Sequence, residues 1–269
     1  MGNTATTIEQ QIEKLSERGL IFENDNEIEK AKETLLDVGY YRLGFYWYYF
    51  QNPKTHKFNE NIKLNDVVKL YYFDFDLKML LLRYIYRIEV HFRTQLIYLA
   101  SNHYSENSTW YIDPKIVDSR IFKEFNNIYY ILKTKNNTLI KHHNKHSGNY
   151  APAWKVFEFL TFGQCFKFYS NLKNQELKKI ISSSYGIRDV KLLNNYFSSL
   201  ISIRNICSHN GILFDYNQSY GIKRIPNLRY RIKTNNTKTR LNLSHLPKGI
   251  YFLEQATENI VLTNKIIKL

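Results

Sequence analysis

Arg204-Asn205-Ile206-Cys207-Ser208-His209 places a permanent cation, an amide and an imidazole within a few residues of one another. Arginine followed after four to six residues by histidine suits RNA cleavage that needs no metal. In that reaction the substrate's own 2′-OH attacks the adjacent phosphorus. A base takes the hydroxyl proton, an acid protonates the leaving 5′ oxygen, and a cation stabilises the phosphorane. Histidine, with an unperturbed pKa of about 6.5, can take or give that proton near neutrality. The arginine guanidinium keeps its charge and forks onto phosphate oxygens. Asn205 and His209 stand one helical turn apart, so Asn205 could orient the imidazole or hold the backbone of the next loop. The same residues could equally fasten the end of a core helix, with His209 capping its last carbonyls.

A pattern this short also arises by chance, and Arg240 to His245 is a second match. Context separates the two. Arg204 closes a run in which Val190, Leu193, Tyr196, Phe197, Leu200, Ile201 and Ile203 follow the helical period, whereas Arg240 lies in a polar stretch. Other chemistries have less support. His142-His143-Asn144-Lys145-His146 puts two imidazoles one turn apart, but no cysteine or carboxylate cluster adjoins them, and a solvated loop is expected. Neither GxxxxGK[ST] nor GxGxxG occurs, so no nucleotide and no other cofactor is expected. Cys165 and Cys207 form no CxxC pair, which suits a reducing, cytoplasmic setting and argues against a disulfide framework.

The elements that must position Arg204 and His209 read as helices. Ile8 to Arg18 and Ile28 to Val38 are amphipathic, each followed by a glycine, Gly19 or Gly39. The aromatic run Tyr40 to Phe50 has no clear polar face and is expected to be buried, with a turn at Asn52-Pro53. Asn65 and Asp66 can cap a long helix from about Val67 to Leu99, on which Glu89 and Arg93 form a surface pair. Further helices are expected over Phe122–Lys133, from Pro152 through Phe162, over Gln175–Ser183 and over Asp189–Cys207. The polar segment Asn136–Asn149 reads as a loop. The texture changes after Asn210. Gly221–His245 alternates at Leu228-Arg229-Tyr230-Arg231-Ile232-Lys233 and could form a basic hairpin or ordered arm, and Gly249–Leu269 reads as a closing helix.

Charge supports a polyanionic partner. The 269 residues hold 38 Lys+Arg against 24 Asp+Glu, a formal +14, which attracts nucleic acid first and anionic lipid second. Within the basic stretch, Lys223, Arg224, Arg229, Arg231, Lys233, Lys238 and Arg240 are the candidate RNA contacts. The 22 Tyr and 17 Phe could stack on bases, but most recur at helical spacing and read as core. No apolar run approaches the roughly 20 residues of a spanning helix, and the polar, acidic start carries no secretory pattern, so no membrane association is expected.

Several ordered segments carry a family resemblance. Arg204 to His209 resembles the RNxCAH signature of the Abi-like (AbiF and AbiD) abortive-infection family, with Ser208 in the alanine place. Gly39-Tyr40-Tyr41-Arg42-Leu43 resembles its GYYRL. Leu70-Tyr71-Tyr72-Phe73-Asp74 with Leu77 resembles its LYxFDxxLR, with Lys78 in the arginine place. Arg87 to Arg93 resembles its IExxLR segment, and Pro152 to Gly163 its PxWxxxExLTFG block. Where many relatives carry arginine shortly after the histidine, this chain has Ile212.

The resemblance implies an all-α, HEPN-type bundle and a role in phage defence. It also implies kinship with RNA-targeting CRISPR effectors and an RNA partner, in some systems a small non-coding RNA. On that basis residues 1–63 are expected to be an N-terminal helical extension packed on a core over 64–215, followed by a basic arm or hairpin over 216–248 and a closing helix over 249–269. The catalytic trio would be Arg204, Asn205 and His209, with Glu158 as a carboxylate that could fix the Arg204 fork. The expected activity is a metal-independent endoribonuclease acting as a homodimer. The alternative is a non-catalytic RNA-binding or toxin-partner module on the same scaffold.

Overall fold

The computed structural model describes residues 4–134, 150–209 and 211–223, and the strands at 249–256 and 261–268. The architecture is all-α, as expected. By its internal contacts the chain divides into two units, Met1–Gly221 and Ile222–Leu269.

In the first unit the helix ends follow local chemistry. Helix α1 (Ile8–Glu17) opens with a capping box: the Thr7 hydroxyl accepts from the Gln10 amide, and the Gln10 side chain accepts from the Thr7 amide. It closes at Gly19, whose φ of 93° other residues rarely adopt. Helix α2 (Asp25–Asp37) is capped by Asn24. Gly39, again at positive φ, turns the chain into α3 (Tyr40–Trp47), which tightens into a 3-10 turn over Tyr48–Phe50.

The aromatic run is not wholly buried. Leu43, Tyr46 and Trp47 face inward, while Tyr41, Phe45 and Tyr48, at i, i+4 and i+7, stay exposed. An apolar sequence all round a helix hides which face packs, and only the neighbouring helices select it.

Helix α4 (Leu64–His103) is the axis of the unit, 40 residues and about 60 Å long. It starts three residues before the expected Val67, and the cap works from inside the helix: the Asp66 carboxylate accepts from the Lys63 amide at 3.2 Å. Its first turns join α1–α3 in one apolar cluster with Leu15, Leu43, Tyr46 and Val67. Its second half belongs to a larger cluster centred on Phe92, whose ring meets Phe197 at 4.9 Å and Tyr169 at 5.6 Å.

That larger cluster is completed by α5 (Phe122–Thr134), α6 (Ala153–Val156), α7 (Phe162–Asn171), α8 (Gln175–Ser183) and α9 (Val190–Ser208). The single helix expected from Pro152 through Phe162 is broken. A 3-10 turn over Phe157–Phe159 follows α6, and Thr161 then caps α7 by accepting from Gln164 at 3.3 Å. Thr161 with Gln164 is a capping box, and it outweighs apolar continuity across the junction.

In the second unit β1 (Gly249–Ala256) pairs antiparallel with β2 (Val261–Lys268), from Gly249 opposite Lys268 to Ala256 opposite Val261. This corrects the closing helix expected over 249–269. The segment is rich in β-branched and aromatic residues that favour a pleated strand, and short apolar runs do not separate the two periods. Of the basic stretch, Lys223 is described and exposed, while Arg224, Arg229, Arg231, Lys233, Lys238 and Arg240 lie outside the described residues. So do the loop Asn136–Asn149, except for its neighbours, and the histidines at 142, 143 and 146.

One carboxylate joins distant parts of the first unit. Asp74 on α4 is fully buried, and its Oδ2 accepts from Lys78 Nζ at 2.5 Å and from the Tyr46 hydroxyl of α3 at 2.8 Å. Its Oδ1 accepts from the backbone amides of Leu213 and Phe214, both at 2.8 Å. Burial by itself raises the Asp74 pKa, but Lys78, Tyr46 and the two amides outweigh it and hold the carboxyl below its ordinary value. A carboxylate depressed in the folded state contributes stability that is complete above the unfolded value and is lost as pH falls through the folded one. Asp74→Asn leaves Lys78 buried without its counter-charge and should cost about 3 kcal/mol or more in urea unfolding at pH 7. The wild-type advantage should shrink on acidification below about pH 4. A variant as stable as the wild type at pH 7 would show that this carboxylate does not hold the unit together.

Candidate functional site

Helix α9 carries the arginine, asparagine and histidine to one end. Asp189 caps its start, accepting from the Lys191 amide at 2.8 Å, and Leu193 and Phe197 bury its inner face against Phe92. Beyond them the helix leaves the densest part of the core, so Arg204 is half-buried while Asn205 and His209 are exposed. His209 is the C-terminal cap: its backbone is extended, and its amide donates to the Asn205 carbonyl at 3.0 Å.

The chain then folds back tightly. A Cβ on Gly211 would lie 2.9 Å from Cγ2 of Ile206, so this close approach needs glycine. Ile212 and Phe214 pack into the N-terminal cluster, and Asp74 holds the amides of Leu213 and Phe214. Position 212 is thus an apolar contact in this chain. Tyr49 adds a second tether by donating to Asp215 at 2.8 Å.

The carboxylate facing Arg204 is Glu89. Its Oε2 lies 3.7 Å from Arg204 Nε, and its Oε1 accepts from the Arg93 guanidinium at 3.1 Å. Arg93 also donates to the Leu160 carbonyl at 3.0 Å, which ties the helix junction before α7 into the same group. The Glu89 side chain is only 9% exposed and that of Arg93 14%, so this pair is not the surface pair that spacing on α4 suggested. It lies beside Arg204, within ion-pair range and beyond hydrogen-bond distance.

Glu158 does not take that place. It is exposed, and no ion pair joins it to Arg204. Periodicity put Glu158 on a helix, but the break at Phe157–Phe159 removes the helical face on which the expectation rested. Glu89 could have been found from its place in the Arg87–Arg93 segment, yet nothing local says which helix crosses Arg204.

The trio is partly brought together. Arg204 donates to the Asn205 side-chain oxygen at 3.5 Å, the outer limit of a hydrogen bond. Asn205 thus faces the arginine, and its link to His209 runs through the backbone. The cysteines do not join the site. Burial pushes the Cys165 thiol up to about 12 and raises Cys207 as well, so neither is a ready thiolate. Among the described residues, no group of three or more His, Cys, Asp or Glu could hold a metal ion.

A family model described as Abi-like protein matches residues 33–215, which covers α3 through the Asp74-held segment after His209. The chain belongs to the Abi-like family. The family suggests abortive-infection phage defence, and the match includes Asp74, Glu89, Arg93 and the Arg204–His209 run. A second family model, described as a secretion system C-terminal sorting domain, matches residues 222–269, a similarity confined to the second unit. No curated protein and no solved structure matches the chain. Among the described residues, no helix is long and apolar enough to cross a membrane.

The two glutamates can be told apart by measurement. Glu89→Gln leaves Arg93 and Arg204 without their shared counter-charge and should lower unfolding free energy by about 2 kcal/mol or more. Glu158→Gln should stay within about 0.5 kcal/mol of the wild type. Equal losses in urea titrations of the two variants would remove Glu89 from its central role.

Proposed function

We propose that this Abi-like chain is a HEPN-type endoribonuclease of phage defence that binds RNA and cleaves it by 2′-OH attack, with Arg204, Asn205 and His209 at its centre. The observation that carries the reading is the placement of Arg204. A nearly buried carboxylate on α4 lies 3.7 Å from the guanidinium near the end of α9, one helix end from an exposed imidazole. A guanidinium already held in place spends little freedom when it meets the phosphorane.

In the proposed reaction the 2′ oxygen bonds to phosphorus and loses its proton to an imidazole, while the P–O5′ bond breaks and the 5′ oxygen gains a proton. The products are a 2′,3′-cyclic phosphate and a 5′-OH. Asn205 is a positioning residue in this scheme, through its contact with Arg204. The RNA partner, which in related systems can be a small non-coding RNA, would be held by the exposed Lys223 and the basic residues that follow it. The reading places the protein in the cytoplasm, where phage transcripts are made.

A second reading, a non-catalytic RNA-binding or toxin-partner module, draws support from one observation. No hydrogen bond or ion pair fixes the His209 ring among the described residues, so nothing there selects its tautomer. Incubation of the purified chain with single-stranded RNA in EDTA separates the two. Cleavage that persists, leaves cyclic-phosphate ends and falls by about 100-fold or more in His209→Ala is expected. Intact RNA that is still bound would favour the module, and 3′-OH ends would exclude 2′-OH attack.

In-line transfer needs both a base and an acid, and each chain offers one well-placed histidine at the motif. The proposal therefore includes a two-fold homodimer in which two Arg204/His209 pairs face one another. Mixing wild-type chains with an excess of His209→Ala chains should suppress wild-type cleavage, because each mixed dimer retains one imidazole where the step needs two. Wild-type activity left unchanged by the added variant would show that each chain works by itself.

A further inference from the structure

The outward face of α4 is unusually apolar for a surface. Tyr72, Phe73, Phe75, Met79, Leu80 and Tyr86 are each between 46% and 67% exposed, and Tyr84 and Val90 continue the patch. Opposite them, on the same helix, Asp74, Lys78, Ile85 and Glu89 are buried, so α4 packs on one side and presents the other. Tyr72, Phe75, Met79 and Tyr86 keep the three-and-four spacing of a helix-pairing seam. Eight side chains of this size, about half exposed, come to about 800 Å². That exceeds the roughly 300–600 Å² of the largest apolar patch on an ordinary monomer and equals the ~800 Å² that each partner of a stable dimer covers.

The charges on this face choose the occupant. Asp76 and Arg83 lie two turns apart within the apolar stripe, and neither has an ion-pair partner among the described residues. We infer that α4 pairs antiparallel with α4 of a second copy of this chain, about a two-fold axis passing between Met79 and Leu80. That axis sets Asp76 opposite Arg83 of the second copy, and repeats the pair on the other side by symmetry. It also brings Arg87 opposite the ring of Tyr72 in the second copy, a cation over an aromatic face. A parallel pairing would put Asp76 beside Asp76 and Arg83 beside Arg83. An RNA strand would leave Asp76 against phosphate. The stripe is thus self-complementary only when antiparallel.

This surface lies on the side of α4 opposite Asp74 and Glu89, and so away from Arg204; it is separate from the pairing of motifs invoked for catalysis, and its existence is read without RNA. Sedimentation velocity on the nuclease-treated full chain at about 20 µM should show a dimer, a concentration above the dissociation constants usual for interfaces of this area. Asp76→Arg and Arg83→Asp each create two like-charge pairs and should weaken the dimer by about tenfold or more. The double variant, Asp76→Arg with Arg83→Asp, recreates both pairs in reverse and should return the dimer. That return also shows that the single variants did not simply misfold. A monomeric wild type, single variants that dimerise normally, or a double variant no better than the singles would each overturn the inference. His209→Ala should dimerise like the wild type. A chain that dimerises through α4 but leaves RNA intact would count against the nuclease and not against the surface.

Discussion

Four hydrogen bonds to one buried carboxylate bring three regions of the first unit to one point. Asp74 holds Tyr46 of α3, Lys78 of its own helix and two amides of the segment after His209. Each partner alone would be a modest contact. Together they satisfy a charge that would otherwise be costly to bury, which makes the arrangement close to all-or-none. The end of α9 therefore stands on a support anchored on α4. About four turns along the same helix, Glu89 faces Arg204 at 3.7 Å. Helix α4 carries both carboxylates and is in effect the platform on which α9 and its exposed end are set.

Glu89 shows how a buried ion group can favour geometry over stability. Two guanidiniums share one carboxylate, and Arg93 spends a further donor on the Leu160 carbonyl. Replacing such a group by well-packed apolar residues often leaves a protein as stable or more so. What the group does contribute is direction. A guanidinium met at its Nε edge keeps its other donors for further partners, and Asn205 takes one of them here.

The parts of the molecule that could be read without a structure are those governed by local rules. The helix limits at Gly19, Gly39 and Asp189, the long α4 and the run ending at Arg204 follow from period and capping. What could not be read depends on which surfaces meet. Glu158 looked like the partner of Arg204 because both were assigned to helices; the capping box at Thr161 ends that assumption, and the crossing of α4 with α9 supplies Glu89 instead. Tyr41, Phe45 and the outer stripe of α4 looked like core because aromatic residues usually are, yet one packed face is all that the neighbouring helices cover. At Gly249–Lys268 the apolar spacing fitted a helix, and the residue types suited the strands that form.

The tether between Asp74 and Leu213 also bears on how the chain is made. Synthesis runs from the N-terminus, so α1–α4 leave the ribosome well before the amides that Asp74 must hold. In the nascent chain Asp74 can already engage Lys78 and Tyr46, but Arg204 and His209 are not in place until α9 has emerged and the segment behind it has turned back. Closing so long a loop is among the slower steps available to a helical fold. The tether behind the end of α9 accordingly cannot form before residues 213 and 214 have emerged, and a product truncated before them lacks it.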